Sequence, residues 1–249
     1  MKCYSITLET YWKKENSLFL VMTTSYIRKI FSAVLILLAA SVRAQNGLAI
    51  LWEPEIAVSY DVTPLYSHQF SVEKRSGILS DSQVKFDVMQ MDFAHFSQLD
   101  IMDNQSIALG LMYRSRELFE DDSDEFRLTE QFSLTKTNES LRWGHRFRAE
   151  QRFSEKPLEH RFRYRLAADL PLKGTRLDVG EAYLSATWEN LLSVVKSAKP
   201  MYAQRFGLDI GFLIDKNMTL ETGVQYRLED YFNTVLHELF LFTGINMEL

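Results

Sequence analysis

Met218-Thr219-Leu220-Glu221-Thr222-Gly223-Val224-Gln225-Tyr226-Arg227-Leu228 alternates without a break. Met218, Leu220, Thr222, Val224, Tyr226 and Leu228 form one row; Thr219, Glu221, Gly223, Gln225 and Arg227 form the other. Residues two apart share a face only in a strand, so this stretch is a strand with one apolar and one polar side. Asp215-Lys216-Asn217 precedes it as a tight turn. Before that turn, Tyr202, Phe206, Leu208, Ile210 and Phe212 oppose Arg205, Gly207, Asp209 and Gly211.

The pattern continues upstream. Phe162, Tyr164, Leu166, Ala168 and Leu170 oppose Arg161, Arg163, Arg165 and Asp169. Leu141, Trp143, Phe147 and Phe153 oppose Arg142, Arg146, Arg148, Glu150 and Arg152. Ile107, Leu109, Leu111 and Tyr113 oppose Ser106, Gly110, Arg114 and Arg116. Weaker alternation runs near 50–60, 66–74, 84–96, 126–135, 177–188 and 235–247. Asp61–Pro64, 137–139, 171–174 and 215–217 read as tight turns, and Glu117 to Glu125 and Asn190 to Pro200 as longer polar loops. About eleven strands can be counted. Bacterial single-chain barrels have even totals, so the expectation is 10 or 12 strands.

Residues 22–44 read as an export signal. Arg28 and Lys29 precede the apolar run Ile30–Ala40, and Ser41-Val42-Arg43-Ala44 supplies a small-x-small ending, which places cleavage between Ala44 and Gln45. The apolar run is too short for a helix crossing about 30 Å of hydrocarbon. Residues 1–21 fit poorly before such a signal, and Met22 makes a natural start, so they read as a mis-assigned extension. The expected domains are therefore 1–21, 22–44 and a single barrel over 45–249. The one cysteine is Cys3, ahead of the cleavage point. The exported chain thus has no disulfide, zinc-thiolate site, cysteine nucleophile or lipid-modified cysteine.

The composition is acidic, with 28 Lys+Arg against 33 Asp+Glu, and six of the basic groups sit in the first 44 residues. Nucleic-acid binding is disfavoured on that ground. Aromatics reach 13%, a bias that suits strands and membrane interfaces.

Alternation alone fits a soluble sandwich as well as a membrane barrel, which inverts it with apolar rows out and polar rows in. Three features decide for the membrane. The chain is exported. Aromatics such as Trp52, Tyr60, Tyr113, Trp143, Trp188 and Tyr231 gather near strand ends. The polar rows are dense in arginine matched by acids. The expected fold is all-β: a single antiparallel transmembrane barrel in the bacterial outer membrane. Its expected partners are outer-membrane lipid, lipopolysaccharide and the barrel-insertion machinery. The final segment Gly244–Leu249 alternates to the end, with Leu249 where an aromatic is typical of such barrels.

From about Leu158 to Leu249 the chain resembles a family of outer-membrane barrels found mainly in Bacteroidetes, domain of unknown function 2490. The likeness is carried by His160-Arg161-Phe162-Arg163-Tyr164-Arg165-Leu166, by Glu181-Ala182-Tyr183, by Arg205-Phe206-Gly207-Leu208-Asp209 and by Asp215 to Tyr226. The resemblance implies the fold and the outer membrane, and no activity.

The candidate site is the lumen. Arg142, Arg146, Arg148, Arg161, Arg163, Arg165, Arg205 and Arg227 are expected inside with Glu150, Asp169, Glu181, Asp209 and Glu221; Arg127 and Arg152 share their rows. An unpaired buried charge is expensive, so these groups are read as a salt-bridge network that fills and braces the interior. The alternative is a small channel preferring anions. A membrane-embedded hydrolase acting on lipid or lipopolysaccharide is the third class. No Gly-x-Ser-x-Gly, His-Glu-x-x-His or phosphate-loop motif is present, and no catalytic residue, metal site or cofactor is assigned. The acidic run Glu117–Glu125 reads as a solvated loop rather than a cation site.

Overall fold

The computed structural model describes residues 49–80, 83–84, 87–116, 124–233 and 235–249. Ala44, Gln45 and the segments 1–21 and 22–44 lie outside the described residues.

The described chain is all strand and turn: β1 (Ala49–Thr63), β2 (Tyr66–Ser80), β3 (Gln83–Val84), β4 (Val88–Met102), β5 (Gln105–Arg116), β6 (Glu125–Asn138), β7 (Leu141–Phe153), β8 (Glu159–Pro171), β9 (Ala182–Val195), β10 (Met201–Asp215), β11 (Met218–Glu229) and β12 (Leu236–Glu248). β3 is a two-residue rung that pairs only with the end of β2. The other strands pair in chain order, β2 with β4 and so on to β12, and β1 pairs with both β2 and β12. The sheet is therefore closed, and among the described residues its wall has eleven strands.

This corrects the expected 10 or 12. Every connection reverses the chain, so an even count would leave the first and last strands antiparallel. With eleven they run the same way. β1 and β12 close the ring as a parallel pair, in register from Ala49↔Glu238 to Ser59↔Glu248. Parallel ladders have slanted, evenly spaced bonds and suffice for closure. The even-number rule, not the reading of the alternation, was at fault.

Closure in parallel also sets the rims apart. One rim carries the short turns Pro64–Leu65, Asp103–Asn104, Glu139–Ser140 and Lys216–Asn217, the 172–181 segment, and the end of β12. Glu139 takes a positive φ of 51° to turn its hairpin. The opposite rim, the loop rim, carries the 154–158 and 196–200 connections and the start of β1. A second correction concerns Asn190–Val195. This stretch is not loop but the last part of β9. Its apolar residues fall on both faces and hide the alternation: Leu191 is buried inside the wall while Leu192 is exposed outside.

The row assignment follows from register. Glu55, Glu73, Asp92 and Arg114 neighbour one another around the inside, whereas Ile56, Phe70, Phe93, Leu109, Phe162 and Phe206 are exposed on the outside. Buried groups are mostly polar or charged. The barrel thus has its charged face inward and its oily face outward, the reverse of a water-soluble sheet packed on an apolar core.

Candidate functional site

The lumen is the one place where the eleven strands converge chemically. In its loop-rim half the inward side chains interlock. Glu53 on β1 accepts from Arg75 Nε at 2.6 Å and from Arg227 Nη2 at 2.5 Å. Both guanidinium groups lie over the Phe240 ring, Arg227 at 3.4 Å and Arg75 at 4.9 Å from its centroid. Phe240, on β12 between β1 and β11, is 1% exposed. It packs beneath two cations that one carboxylate holds together.

Asp92 meets Arg114 as a fork, Nε to Oδ1 at 2.7 Å and Nη2 to Oδ2 at 2.5 Å. Glu125 is gripped by Arg127 and by Arg116, the latter at 2.7 Å. Arg163 is the hub. Its Nη1 reaches Glu150 at 2.7 Å and its Nη2 both oxygens of Glu189 at 2.9 Å. Glu150 also lies 3.4 Å from Arg152. Arg205 donates to Glu229 at 2.9 and 3.1 Å, and Arg161 to Glu159 at 3.1 Å and Ser193 at 2.8 Å. Charge-assisted bonds of this kind are the strong class, and burial raises the cost of breaking them.

The turn-rim half is looser. Arg142 pairs with Asp169 at 3.0 Å, with most of the Arg142 side chain exposed. Among the described residues Arg146 has one ion-pair partner, Glu189 at 3.8 Å. Arg148 donates to Gln131 at 2.6 Å and lies 5.0 Å from the Phe96 ring centroid. That ring fills the space over Gly110, where any Cβ would strike it. Among the described residues Arg165, Asp209 and Glu221 have no ion-pair partner within 4 Å; Glu221 instead accepts from the Tyr183 hydroxyl and from Asn246 at 3.3 Å. Glu181 is not on a wall strand. It sits in the turn before β9, beside Lys173 at 2.9 Å.

Two cavities occupy what is left of the lumen. An inner one of about 610 Å³ is ringed by charged groups from Glu53 to Glu238. A second, of about 470 Å³, opens at the turn rim between Asp61, Asp100, Glu248 and Arg146. Gln69, Phe96, Arg146 and Arg148 line both and mark the neck between them. An eleven-strand wall is wider than the eight that side chains just fill, so residual space is expected.

The sequence reading missed Glu53, Arg75, Asp92, Glu125, Glu159, Glu189 and Glu229 as members of the network. All stand at the inward parity of their strands, but β1, β2 and β4 carry mixed rows, and Glu189 abuts the stretch read as a loop. It also missed a cluster on the outer wall. His68 Nδ1 lies 3.0 Å from His95 Nε2 and 3.2 Å from Ser97 Oγ. A serine nucleophile needs a base nitrogen to itself and a third group on the far side of that ring. Here Ser97 and His95 converge on one nitrogen, which is not a relay. Among the described residues no three His, Cys, Asp or Glu side chains are placed to hold a metal ion.

Comparison with known proteins gives one family and one solved structure. The family model described as "Protein of unknown function (DUF2490)" matches residues 52–237. No curated protein matches the chain. The crystal structure of the siderophore receptor PirA from Pseudomonas aeruginosa aligns at 13% identity and a TM-score of 0.30, covering 69% of this chain and 34% of that one. This chain thus spans about a third of the receptor, and a likeness of that size carries no inference about function.

Proposed function

The chain belongs to the DUF2490 family of proteins of unknown function, and on that premise we propose that it is an outer-membrane barrel that spans the bilayer, with a lumen braced by ion pairs. One observation carries this reading: the apolar rows lie exposed on the outside while the guanidinium and carboxylate rows are enclosed. Leu109 at 61%, Phe162 at 52% and Ile56 at 51% exposure belong to a continuous oily band, far beyond the isolated apolar residues that a soluble surface tolerates. Strands of 12 to 15 residues exceed the about 9–11 that a tilted crossing requires. Export with cleavage between Ala44 and Gln45, delivery to the insertion machinery, and contact with outer-membrane lipid and lipopolysaccharide complete the proposal.

The role is structural or accessory. The loop-rim half is packed with buried charges paired between strands, which favours a closed rather than a conducting barrel. Fractionation of cells expressing the chain tests the location: it should co-sediment with outer membranes and shift on gels when heated. Recovery in the soluble periplasmic fraction would refute it. Reconstitution in planar bilayers tests closure, with no steady conductance expected and sustained single-channel steps opposing it. An anion-preferring channel gains some support from Arg146, Arg148 and Arg165, but acids line the same cavity, and that opposes selection by sign.

A further inference from the structure

Arg146 touches the network only through Glu189 at 3.8 Å, and among the described residues Arg148, Arg165, Glu55, Asp209 and Glu221 have no ion pair within 4 Å. Arg146 and Arg148 are two apart on β7, and Arg165 on β8 is the register partner of Arg146. Their side chains make one cationic wall. Around the ring, β7 is five steps from β1 in one direction and six in the other, so Glu55 on β1 stands across the lumen. Glu221 on β11 and Asp209 on β10 follow Glu55 round the wall toward β8, and all six side chains line the inner cavity of about 610 Å³. None of the three arginines has an ion-pair contact within 4 Å to Glu55, Asp209 or Glu221, unlike the interlocked groups of the loop-rim half. Enclosed charges held apart in this way cost free energy unless something between them answers both signs.

Room for an occupant is built into the wall. Gly144 and Ala167, inward and next to Arg146 and Arg165, leave space beside those guanidinium groups. Entry is from the turn rim, because the outer cavity shares Arg146 and Arg148 with the inner one.

We propose that this layer binds a small zwitterion of the amino-acid class. Its carboxylate lies in the forks of Arg146, Arg148 and Arg165, which offer paired donors. Its ammonium faces Glu55, Asp209 and Glu221. An anion alone would satisfy one wall and be repelled by the other, and a simple cation likewise. The site goes beyond the bracing role and does not require the membrane reading, since it needs only the closed barrel.

Three molecules with the same carbon chain separate these cases: 4-aminobutyrate, butyrate and butylamine, titrated into the detergent-solubilised barrel and followed by saturation-transfer NMR. The zwitterion should bind at least tenfold more tightly than either singly charged molecule. Arg148→Gln and Glu55→Gln should each weaken it about tenfold, and Arg142→Gln, at the rim, should leave it unchanged. Arg165→Gln and Glu221→Gln serve as second variants wherever the first pair fails to give a heat-modifiable barrel. Equal binding of the three, preference for butyrate, absence of binding, or a zwitterion preference that survives all of these substitutions overturns the site. Each of those outcomes leaves location in the outer membrane standing, and recovery of the protein in a soluble fraction would leave this site standing.

Discussion

Arg163→Ala is the sharpest perturbation of the braced lumen. The guanidinium makes three bonds of 2.7–2.9 Å to Glu150 and Glu189. Its side chain is 15% exposed, and those of its partners are 3% and 7% exposed. Removing it leaves two enclosed carboxylates. Glu150 keeps Arg152 at 3.4 Å; Glu189 keeps only Arg146 at 3.8 Å and Arg205 at 3.9 Å. Breaking a buried pair from one side costs about 3–5 kcal/mol, since the stranded partner retains its desolvation penalty. The retained contacts place the expected loss toward the lower end. Arg142→Ala is the internal comparison: its pair lies at the rim with 61% of the arginine side chain exposed, so solvent screening limits the loss to about 0–1 kcal/mol. Urea unfolding in detergent micelles, read by the heat-modifiable gel shift, measures both. Arg163→Lys should recover only part, because a point charge cannot fork between two carboxylates. Equal midpoints for Arg163→Ala and Arg142→Ala would refute the bracing role.

Three further outcomes are expected. Leu109→Arg puts a cation in the middle of an outward row and should cost about 2–4 kcal/mol on folding into lipid bilayers; no loss in a vesicle-refolding titration would argue against an oily surroundings for that row. Cysteines replacing Ala57 and Asn246, register partners across the parallel β1–β12 seam, should cross-link on mild oxidation in the folded barrel, and absence of the disulfide on non-reducing gels would contradict closure by that pair. Gly223→Ala should destabilise the barrel by about 1–3 kcal/mol through overpacking, because its Cβ would meet the backbone of Leu208 and Asp209. Gly110→Ala should cost less in the same urea titration, since only the movable Phe96 ring stands in its way.

Much of this barrel can be read from period two. The rows around Met218–Leu228, Phe162–Leu170 and Leu141–Phe153 correspond to β11, β8 and β7, because each strand has one oily and one charged side and a one-residue slip would exchange them. The reading weakens where the rows mix. In β1, Leu51 and Ala57 point inward beside Glu53 and Glu55. In β9, Leu191 and Leu192 are adjacent, and the strand is mistaken for a loop. In β12, Phe240 and Phe242 lie inside, because Phe240 serves as a platform for arginines. Pairing is less legible than facing. That Arg163 takes Glu150 and Glu189 depends on register between neighbours, and that Arg148 reaches Phe96 depends on the bare backbone of Gly110. The strand total was within reach of the alternation, but parity of strand direction, a property of the closed ring, is invisible in any single segment.

The central claim is that the outward rows meet hydrocarbon. Trp52, Trp143 and Trp188 all stand on those rows, with Trp52 37% and Trp188 38% exposed. The chain from Gln45 onward contains these three tryptophans and no other. Refolded into vesicles of dibrominated phosphatidylcholine, its tryptophan fluorescence should be strongly quenched relative to unbrominated vesicles and insensitive to aqueous acrylamide. Emission unaffected by bromine and readily quenched by acrylamide would contradict the account.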